Sequence, residues 1–175
     1  SFEGRAGNDT IDGKGGIDRI SYQTSPAAVT VNMVTGLASD GWGGIDTFTN
    51  IENVRGSDFS DTITGNDSDN DLEGRAGNDT LIGGDGQDSL RGGAGDDVLD
   101  GGTQSSLIGW DATANASSRY DLVFYSDATS GVTVTLGADG TNGTATGGGI
   151  GTDTLANIEM VIGSSHGDVI RGTNR

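Results

Sequence analysis

Residues 56–100 read GSDFSDTIT GNDSDNDLE GRAGNDTLI GGDGQDSLR GGAGDDVLD, five nonapeptides that follow one another without a gap. Two more units, GRAGNDTID and GKGGIDRIS, fill residues 4–21, and isolated units begin at Gly41, Gly148 and Gly163. Repetition at a short fixed period is the signature of a solenoid, in which each unit packs only against its neighbours. The chain is therefore expected to be built as a stack of small equivalent units.

Each position of the nonapeptide has a physical reason. The first position is Gly in all ten units and the fourth is usually Gly, which permits the positive φ that a tight turn requires. The eighth position is always apolar, and one inward side chain between two outward ones makes a three-residue β-strand. Stacked units align these apolar residues in one narrow core, so the pattern predicts an all-β solenoid. The eighth positions are Ile11, Ile20, Phe48, Ile63, Leu72, Leu81, Leu90, Leu99, Leu155 and Ile170.

The sixth position of the repeat is Asp in nine of the ten units, and Asn70 is the exception. Stacking the turns brings the carboxylates of neighbouring coils together at the edges of the solenoid. Without a cation these carboxylates would repel one another, whereas with a cation they become ligands. The sixth-position aspartates are Asp9, Asp18, Asp46, Asp61, Asp79, Asp88, Asp97, Asp153 and Asp168.

The composition supports a need for cations. Only 31% of the 175 residues are hydrophobic, and 26 acidic against 9 basic residues give a net charge of -17. Such a chain is normally disordered unless something neutralises it. Nucleic acid is excluded as a partner because its phosphates would be repelled, which leaves divalent cations. There is no Cys to form disulfides or thiolate sites, and no apolar run long enough to insert into a membrane.

This pattern resembles the RTX family, the glycine- and aspartate-rich repeats of bacterial exoproteins. The resemblance implies a right-handed parallel β-roll in which one coil spans two nonapeptides and Ca²⁺ lies between a turn and the turn two units later. In that family the first turn supplies the carbonyls of positions two and four together with its Asp. The second turn supplies the carbonyls of positions one and three together with its Asp. Calcium accepts about six to eight oxygen ligands, which suits such a shell.

Carried onto this sequence, the resemblance implies four ligand sets. Asn70 contributes only a neutral oxygen, so its set is expected to bind more weakly. The fourth set lacks a second carboxylate because Ser106 stands at that position, and it is not expected to bind. The sets are Arg75, Gly77 and Asp79 with Gly92, Ala94 and Asp97; Ser57, Phe59 and Asp61 with Gly74, Ala76 and Asp79; Asn66, Ser68 and Asn70 with Gly83, Asp85 and Asp88; and Gly84, Gly86 and Asp88 with Gly101 and Thr103.

Two stretches between the repeat runs are copies of one module. DTFTNIENV at 46–54 recurs as DTLANIEMV at 153–161, and each copy is preceded by an alternating apolar strand. Two interpretations are open: a wider rung of the solenoid with Tyr22 or Tyr125 as a lid, or a protrusion that contacts a partner. The predicted order is repeats at 1–21, a spacer module re-entering the solenoid at 22–55, repeats at 56–103, a loop at 104–119, a second spacer module at 120–162 and repeats at 163–175.

The spacers re-enter the repeat with a shortened interval. Asp46 precedes Asp61 by fifteen residues, as Asp153 precedes Asp168, which is three short of eighteen. We interpret this as a coil with one trimmed turn. On that view calcium joins Trp42, Gly44 and Asp46 to Gly56, Asp58 and Asp61, and joins Gly149, Gly151 and Asp153 to Gly163, Ser165 and Asp168.

Catalytic residues are scarce. His166 is the only histidine, there is no Cys, and no nucleophile-elbow sequence is present. One His without Cys is a poor basis for a zinc site. Paired acids such as Asp96 and Asp97 stand in the register of the turns, so the chain is not expected to be an enzyme.

The expected function is a calcium-dependent structural or binding module of a large secreted or cell-surface bacterial RTX protein, such as an adhesin or a surface-layer component. The resemblance implies type I secretion of the unfolded chain and folding on calcium outside the cell. The alternative is a C-terminal accessory module of a secreted protease, lipase, polysaccharide-modifying enzyme or toxin. Because the chain starts and stops in mid-repeat, we expect a longer protein. Cell-surface or matrix glycans and neighbouring modules of the same chain are further expected partners.

Overall fold

The computed structural model describes residues 1–102, 120–138 and 141–173. In these ranges every regular element is a β-strand, and no helix exists that could cross a membrane. The strands are β1 (Thr10–Asp12), β2 (Arg19–Ser21), β3 (Thr30–Asn32), β4 (Leu37–Ser39), β5 (Ile45–Thr49), β6 (Asn53–Arg55), β7 (Thr62–Thr64), β8 (Asp71–Ala76), β9 (Thr80–Ile82), β10 (Ser89–Ala94), β11 (Val98–Asp100), β12 (Leu122–Phe124), β13 (Val132–Thr135), β14 (Gly143–Gly147), β15 (Gly151–Ala156), β16 (Met160–Ile162) and β17 (Val169–Arg171).

The strands form two sheets, and the repeat run alternates between them. The larger sheet has eleven strands in the order β1-β5-β4-β3-β7-β9-β11-β15-β14-β13-β17, and the smaller has six in the order β16-β12-β10-β8-β6-β2. Strands of successive coils pair in parallel, as Leu72 beside Leu90 and Leu81 beside Leu99 show. These partners are eighteen positions apart, so one coil spans two nonapeptides. The all-β architecture of mostly parallel strands is that of a β-roll.

The core lies between the two sheets and is formed by inward side chains of the short strands. A short strand such as β7 has an exposed, a buried and a half-buried residue in turn, because alternate side chains point to opposite faces. Ile170 is 46% exposed, since β17 is the outermost strand of its sheet and is paired on one side only. The other nine predicted eighth positions are buried: Ile11, Ile20, Phe48, Ile63, Leu72, Leu81, Leu90, Leu99 and Leu155.

The stretches between the repeat runs widen the larger sheet. Strands β3, β4 and β5 form an antiparallel meander, whose ends pair in parallel with β7 and β1. Strands β13, β14 and β15 repeat this arrangement between β17 and β11. Tyr22 and Tyr125 are 1% and 3% exposed and pack in the core beside the two meanders. Both stretches thus continue the sheets. The predicted loop at 104–119 lies outside the described residues.

One sequence prediction is wrong because of the meanders. Calcium was predicted to bridge Asp46 to Asp61 and Asp153 to Asp168. Two antiparallel strands stand between β5 and β7, and two stand between β15 and β17, so these aspartates are not neighbours. Asp46 instead lies beside Asp9, whose backbone N–H donates to Asp46 Oδ1 at 3.0 Å. Asp153 lies beside Asp97 in the same way, at 3.1 Å. The fifteen-residue interval reflects a trimmed turn at the opposite edge of the roll.

The first glycine of a turn leaves no room for a side chain. A Cβ built on Gly74 would lie 2.7 Å from the carbonyl oxygen of Gly92 and would contact the Asp79 carboxylate. We expect Gly74→Ala to lower the free energy of unfolding by about 1–3 kcal/mol in saturating calcium, measured by urea denaturation. Gly15→Ala is the control, because a Cβ there meets nothing within 4 Å. Equal stability of the two variants would contradict this packing.

Candidate functional site

The turn side chains form two hydrogen-bonded ladders, one along each edge of the roll. In the first ladder, Asp61 N–H donates to Asp79 Oδ1 at 2.8 Å, Asp79 N–H to Asp97 Oδ1 at 2.8 Å, and Asp97 N–H to Asp153 Oδ1 at 3.1 Å. The meanders interrupt this ladder, where Val29 N–H donates to Asp61 Oδ1 and Val132 N–H to Asp168 Oδ1. The members of the first ladder are Asp9, Asp46, Asp61, Asp79, Asp97, Asp153 and Asp168.

The second ladder runs along the opposite edge without a break. Asp18 N–H donates to Glu52 Oε2 at 2.8 Å, and the Asn70 side-chain amide donates to the Glu52 carbonyl at 3.0 Å. Asn70 N–H donates to Asp88 Oδ1 at 2.8 Å, and Asp88 N–H to Asp121 Oδ1 at 2.9 Å. Asp121 N–H completes the ladder by donating to Glu159 Oε2 at 3.1 Å.

These hydrogen bonds use only one oxygen of each repeat carboxylate. The other oxygen is buried in several of them and accepts no hydrogen bond. A buried carboxylate oxygen without a donor is costly, and a bound cation removes that cost. The oxygens in question are the Oδ2 atoms of Asp9, Asp79, Asp88, Asp97 and Asp153.

Backbone carbonyls converge on the same points. A Cβ on Gly56 would contact Asp61 Oδ2 and lie 2.9 Å from Gly74 O, and one on Gly83 would contact Asp88 Oδ2 and lie 2.6 Å from Gly101 O. The carbonyls of positions two and four face the next turn of the stack, as Arg75 O faces Gly93 and Gly77 O faces Gly95. Each junction between turns therefore offers carboxylate and carbonyl oxygens together.

This donor set fits calcium. Within the part of the chain that the structure describes, no cluster of three or more His, Cys, Asp or Glu side chains is placed to hold a metal ion by itself. Backbone carbonyl oxygens therefore have to supply many of the ligands of any bound metal ion. A shell made only of oxygens at loosely fixed positions is typical of Ca²⁺, whereas zinc prefers nitrogen and sulfur.

The structure brings together the turns of three predicted ligand sets. The turn of Asp79 lies between those of Asp61 and Asp97, and the turn of Asn70 lies next to that of Asp88. Asn70 Oδ1 accepts the N–H of Asn66 at 2.9 Å, so its neutral oxygen also closes its own turn.

Residues that were predicted to bridge Asp46 to Asp61 and Asp153 to Asp168 have other neighbours in the structure. Gly151 lies against Gly95 O and is close to Asp96 Oδ1. Asp58 is exposed and forms an ion pair with Arg75 at 2.7 Å. Gly163 and Ser165 belong to the turn of Asp168, and Asp168 Oδ1 accepts a hydrogen bond from the backbone N–H of Val132 in the second meander. Thr103 and Ser106 of the fourth set lie outside the described residues.

Three ladder members, Asp121, Glu52 and Glu159, were not predicted because they do not belong to any of the ten nonapeptides. Asp121 occupies the place assigned to Ser106, and Asp121 Oδ2 would lie 2.6 Å from a Cβ on Gly101. The signal was present, because Asp121–Tyr125 matches Asp18–Tyr22, which begins with a sixth-position Asp. Glu52 and Glu159 stand at the trimmed turns. Their extra methylene group lets them reach the N–H groups of Asp18 and Asp121 from turns that are three residues shorter.

Burial changes the proton affinity of these carboxylates. Burial, reinforced by neighbouring aspartate charges, raises the pKa of Asp79, Asp88 and Asp153 to about 7 each and that of Asp97 to about 6. Burial also raises the pKa of Asp61. Each such shift reports a buried negative charge that lacks a compensating positive charge. A divalent cation would supply that charge.

Two sheets of mostly parallel strands with carboxylates and carbonyls stacked at their turns are the architecture of a calcium-binding β-roll. The family described as RTX calcium-binding nonapeptide repeat (4 copies) matches residues 1–20, 46–81 and 73–108. These segments belong to that family, and its repeats bind Ca²⁺. The family is a calcium-binding repeat rather than an enzyme family. No curated protein matches the chain.

Asp79 stands between two turns of the first ladder, so its charge serves two junctions. We expect Asp79→Asn to raise the calcium concentration at half-folding by about tenfold or more, because the amide keeps the Oδ1 acceptor but loses the charge. Circular dichroism during a calcium titration measures this midpoint. Asp67→Asn changes the net charge equally at an exposed side chain outside the ladders and should leave the midpoint within about twofold.

The raised pKa values predict that protons compete with calcium. Asp79, Asp88 and Asp153 titrate near 7 in the metal-free fold but near the ordinary 3.8 when unfolded. Protonation therefore stabilises the metal-free fold fully below about pH 4, and this stabilisation is lost as the pH rises through 6–7. Apparent calcium affinity should fall as the pH drops from 8 to 5.5, while residual β-structure without calcium should increase. An affinity independent of pH over that range would contradict the burial of these groups.

Proposed function

We propose that this chain is a calcium-dependent structural module of a secreted or cell-surface bacterial RTX protein, of the adhesin or surface-layer kind, which folds when it meets calcium after export. The observation that carries the proposal is the pair of carboxylate ladders, in which buried Oδ2 atoms converge with turn carbonyls. The ladders run along the roll and are part of its architecture. Calcium thus acts as a structural component, with no substrate required.

The energy of the fold supports calcium-dependent folding. The net charge of -17 opposes compaction, and within residues 56–100 each nonapeptide contributes one buried apolar side chain to the core. A ligand that binds only the folded state stabilises it by about 2.7 kcal/mol per site at 100 times its dissociation constant. The summed free energy from several such sites exceeds the free energy of unfolding of an ordinary domain of this size. Without them the chain is expected to stay unfolded.

The proposed ligand sets follow the first and second ladders. On the first ladder, Ca²⁺ binds between the turns of Asp61 and Asp79 and between those of Asp79 and Asp97. On the second, it binds between the turns of Asn70 and Asp88, more weakly because Asn70 is neutral. The corrected pairs add Asp9 with Asp46 and Asp97 with Asp153. The right-handed winding implied by the family resemblance stays a prediction.

Folding on calcium is suited to export. Proteins with RTX repeats are typically secreted. Cytosolic calcium is too scarce to fill sites with dissociation constants of about 10⁻⁴–10⁻³ M, whereas extracellular calcium is sufficient. The chain would remain open while it passes through a type I secretion channel and would fold outside. Neighbouring modules of the same protein are the proposed partners of the two ends of the roll.

Calcium removal tests the proposal directly. The purified chain should show a disordered circular dichroism spectrum in a chelator and a β-type spectrum in 10 mM CaCl₂, with a cooperative transition between them. Magnesium at the same concentration is the control and should not replace calcium, because it requires stricter octahedral geometry. A β-type spectrum that a chelator leaves unchanged would falsify the proposed function.

A further inference from the structure

A polar cleft lies on the outer face of the smaller sheet, at the end formed by β6 and β2. Its volume is about 510 Å³, which is in the range of sites for small organic ligands. Outward side chains of β2 and β6 line the cleft in parallel register, while the residues between them point into the core. These outward residues, here called the polar quartet, are Arg19, Ser21, Asn53 and Arg55.

The fold does not require the polar quartet. The second spacer module repeats the two strands as β12 and β16, which pair in the same parallel register as β2 and β6. Its inward residues remain apolar, but every outward residue has changed from polar to apolar. A requirement of the sheet therefore does not explain the polar quartet. The residues at the four equivalent positions are Leu122, Phe124, Met160 and Ile162.

One member of the polar quartet has an unsatisfied polar group. Ser21 is 7% exposed, and its hydroxyl is buried without a hydrogen-bond partner although the residue lines the cleft. A buried hydroxyl in this state is costly, because it has lost its hydrogen bonds to water and has gained none in return. A ligand that brings oxygen atoms into the cleft would remove this cost.

Two guanidinium groups line the same cleft in a chain whose net charge is -17. Arg19 Nη2 lies 2.6 Å from Asp71 Oδ2, and Arg55 Nε lies 2.8 Å from Glu73 Oε2. These ion pairs hold the two side chains in place. Because a guanidinium carries several N–H groups in a planar fork, each Arg keeps donors for a further acceptor, and a carboxylate matches that geometry.

The rest of the lining suits a ring compound with several oxygens. Gln23 adds an amide, whose Oε1 accepts from Arg55 Nη1 at 3.4 Å. Ile17 is 82% exposed and offers apolar surface to the C–H groups of a ring. Glu3 is the acidic residue of the lining, and it lies 3.6 Å from Arg5 in an ion pair of its own. The cleft therefore combines cationic, amide, hydroxyl and apolar groups.

We propose that this cleft binds an acidic saccharide, with its carboxylate held by Arg19 and Arg55 and its hydroxyl groups in contact with Ser21, Gln23 and Asn53. Hydrogen bonds from Arg to a carboxylate are charge-assisted and are stronger than those between neutral groups. The second spacer module, which has apolar residues at these positions, does not bind the saccharide. This site goes beyond the proposed function, in which calcium is the only small ligand.

Two sugars that differ in one carboxylate test the site, methyl β-D-glucuronide and methyl β-D-glucoside. Saturation-transfer NMR with the full chain in saturating calcium should detect the glucuronide, and the glucoside should bind about tenfold more weakly or less. Acetate, which has the carboxylate without the ring, should also bind more weakly than the glucuronide. No binding of the glucuronide by the folded chain, or equal binding of either comparison compound, would overturn the proposal.

Variants of the polar quartet locate the binding site. The double variant Arg19→Leu with Arg55→Ile copies the second spacer module, so its sheet should form while glucuronide binding is lost. Arg55→Gln should weaken that binding by about tenfold. Arg91→Gln is the matched control, because Arg91 lies on the same sheet and pairs with Asp127 but is outside the cleft. Circular dichroism in calcium verifies that each variant is folded, and folded quartet variants that bind like Arg91→Gln would refute the assignment.

Discussion

The structure depends on how each turn aspartate uses its two oxygens. One oxygen accepts the backbone N–H of the adjacent coil, as in the Asp61–Asp79–Asp97 series, and so sets the register of the stack. The other is buried beside the carbonyls of the next turn and accepts no hydrogen bond in Asp79 and Asp97. The first contact positions the second oxygen, so formation of the coil and formation of the cation site are one event. A chain with so thin an apolar core requires this coupling.

The two meanders show how the roll tolerates interruption. Each one inserts two antiparallel strands into a single sheet, so one ladder is broken while the other continues. At both breaks a valine N–H takes over the contact that an aspartate makes elsewhere. At the opposite edge a glutamate compensates for the shortened turn. The hydrogen-bonding rule of the stack is therefore kept, even where the nonapeptide is lost.

Much of this architecture could be predicted from the nonapeptide, because its period fixes both which residue is buried and which carboxylate faces the edge. Leu72, Leu81 and Leu90 lie where the pattern placed them. The neighbours of Asp46 and Asp153 could not be predicted, since pairing across an antiparallel meander depends on contacts far apart in sequence.

The number of strands in each insertion has a consequence for how the roll can be widened. Because each insertion adds two antiparallel strands, β3 and β5 run in the same direction, and their pairings with β7 and β1 are both parallel. The second meander keeps the same rule, with β13 parallel to β17 and β15 parallel to β11. An odd number of inserted strands would reverse one of the flanking pairings, so a sheet of this kind is widened in steps of two strands.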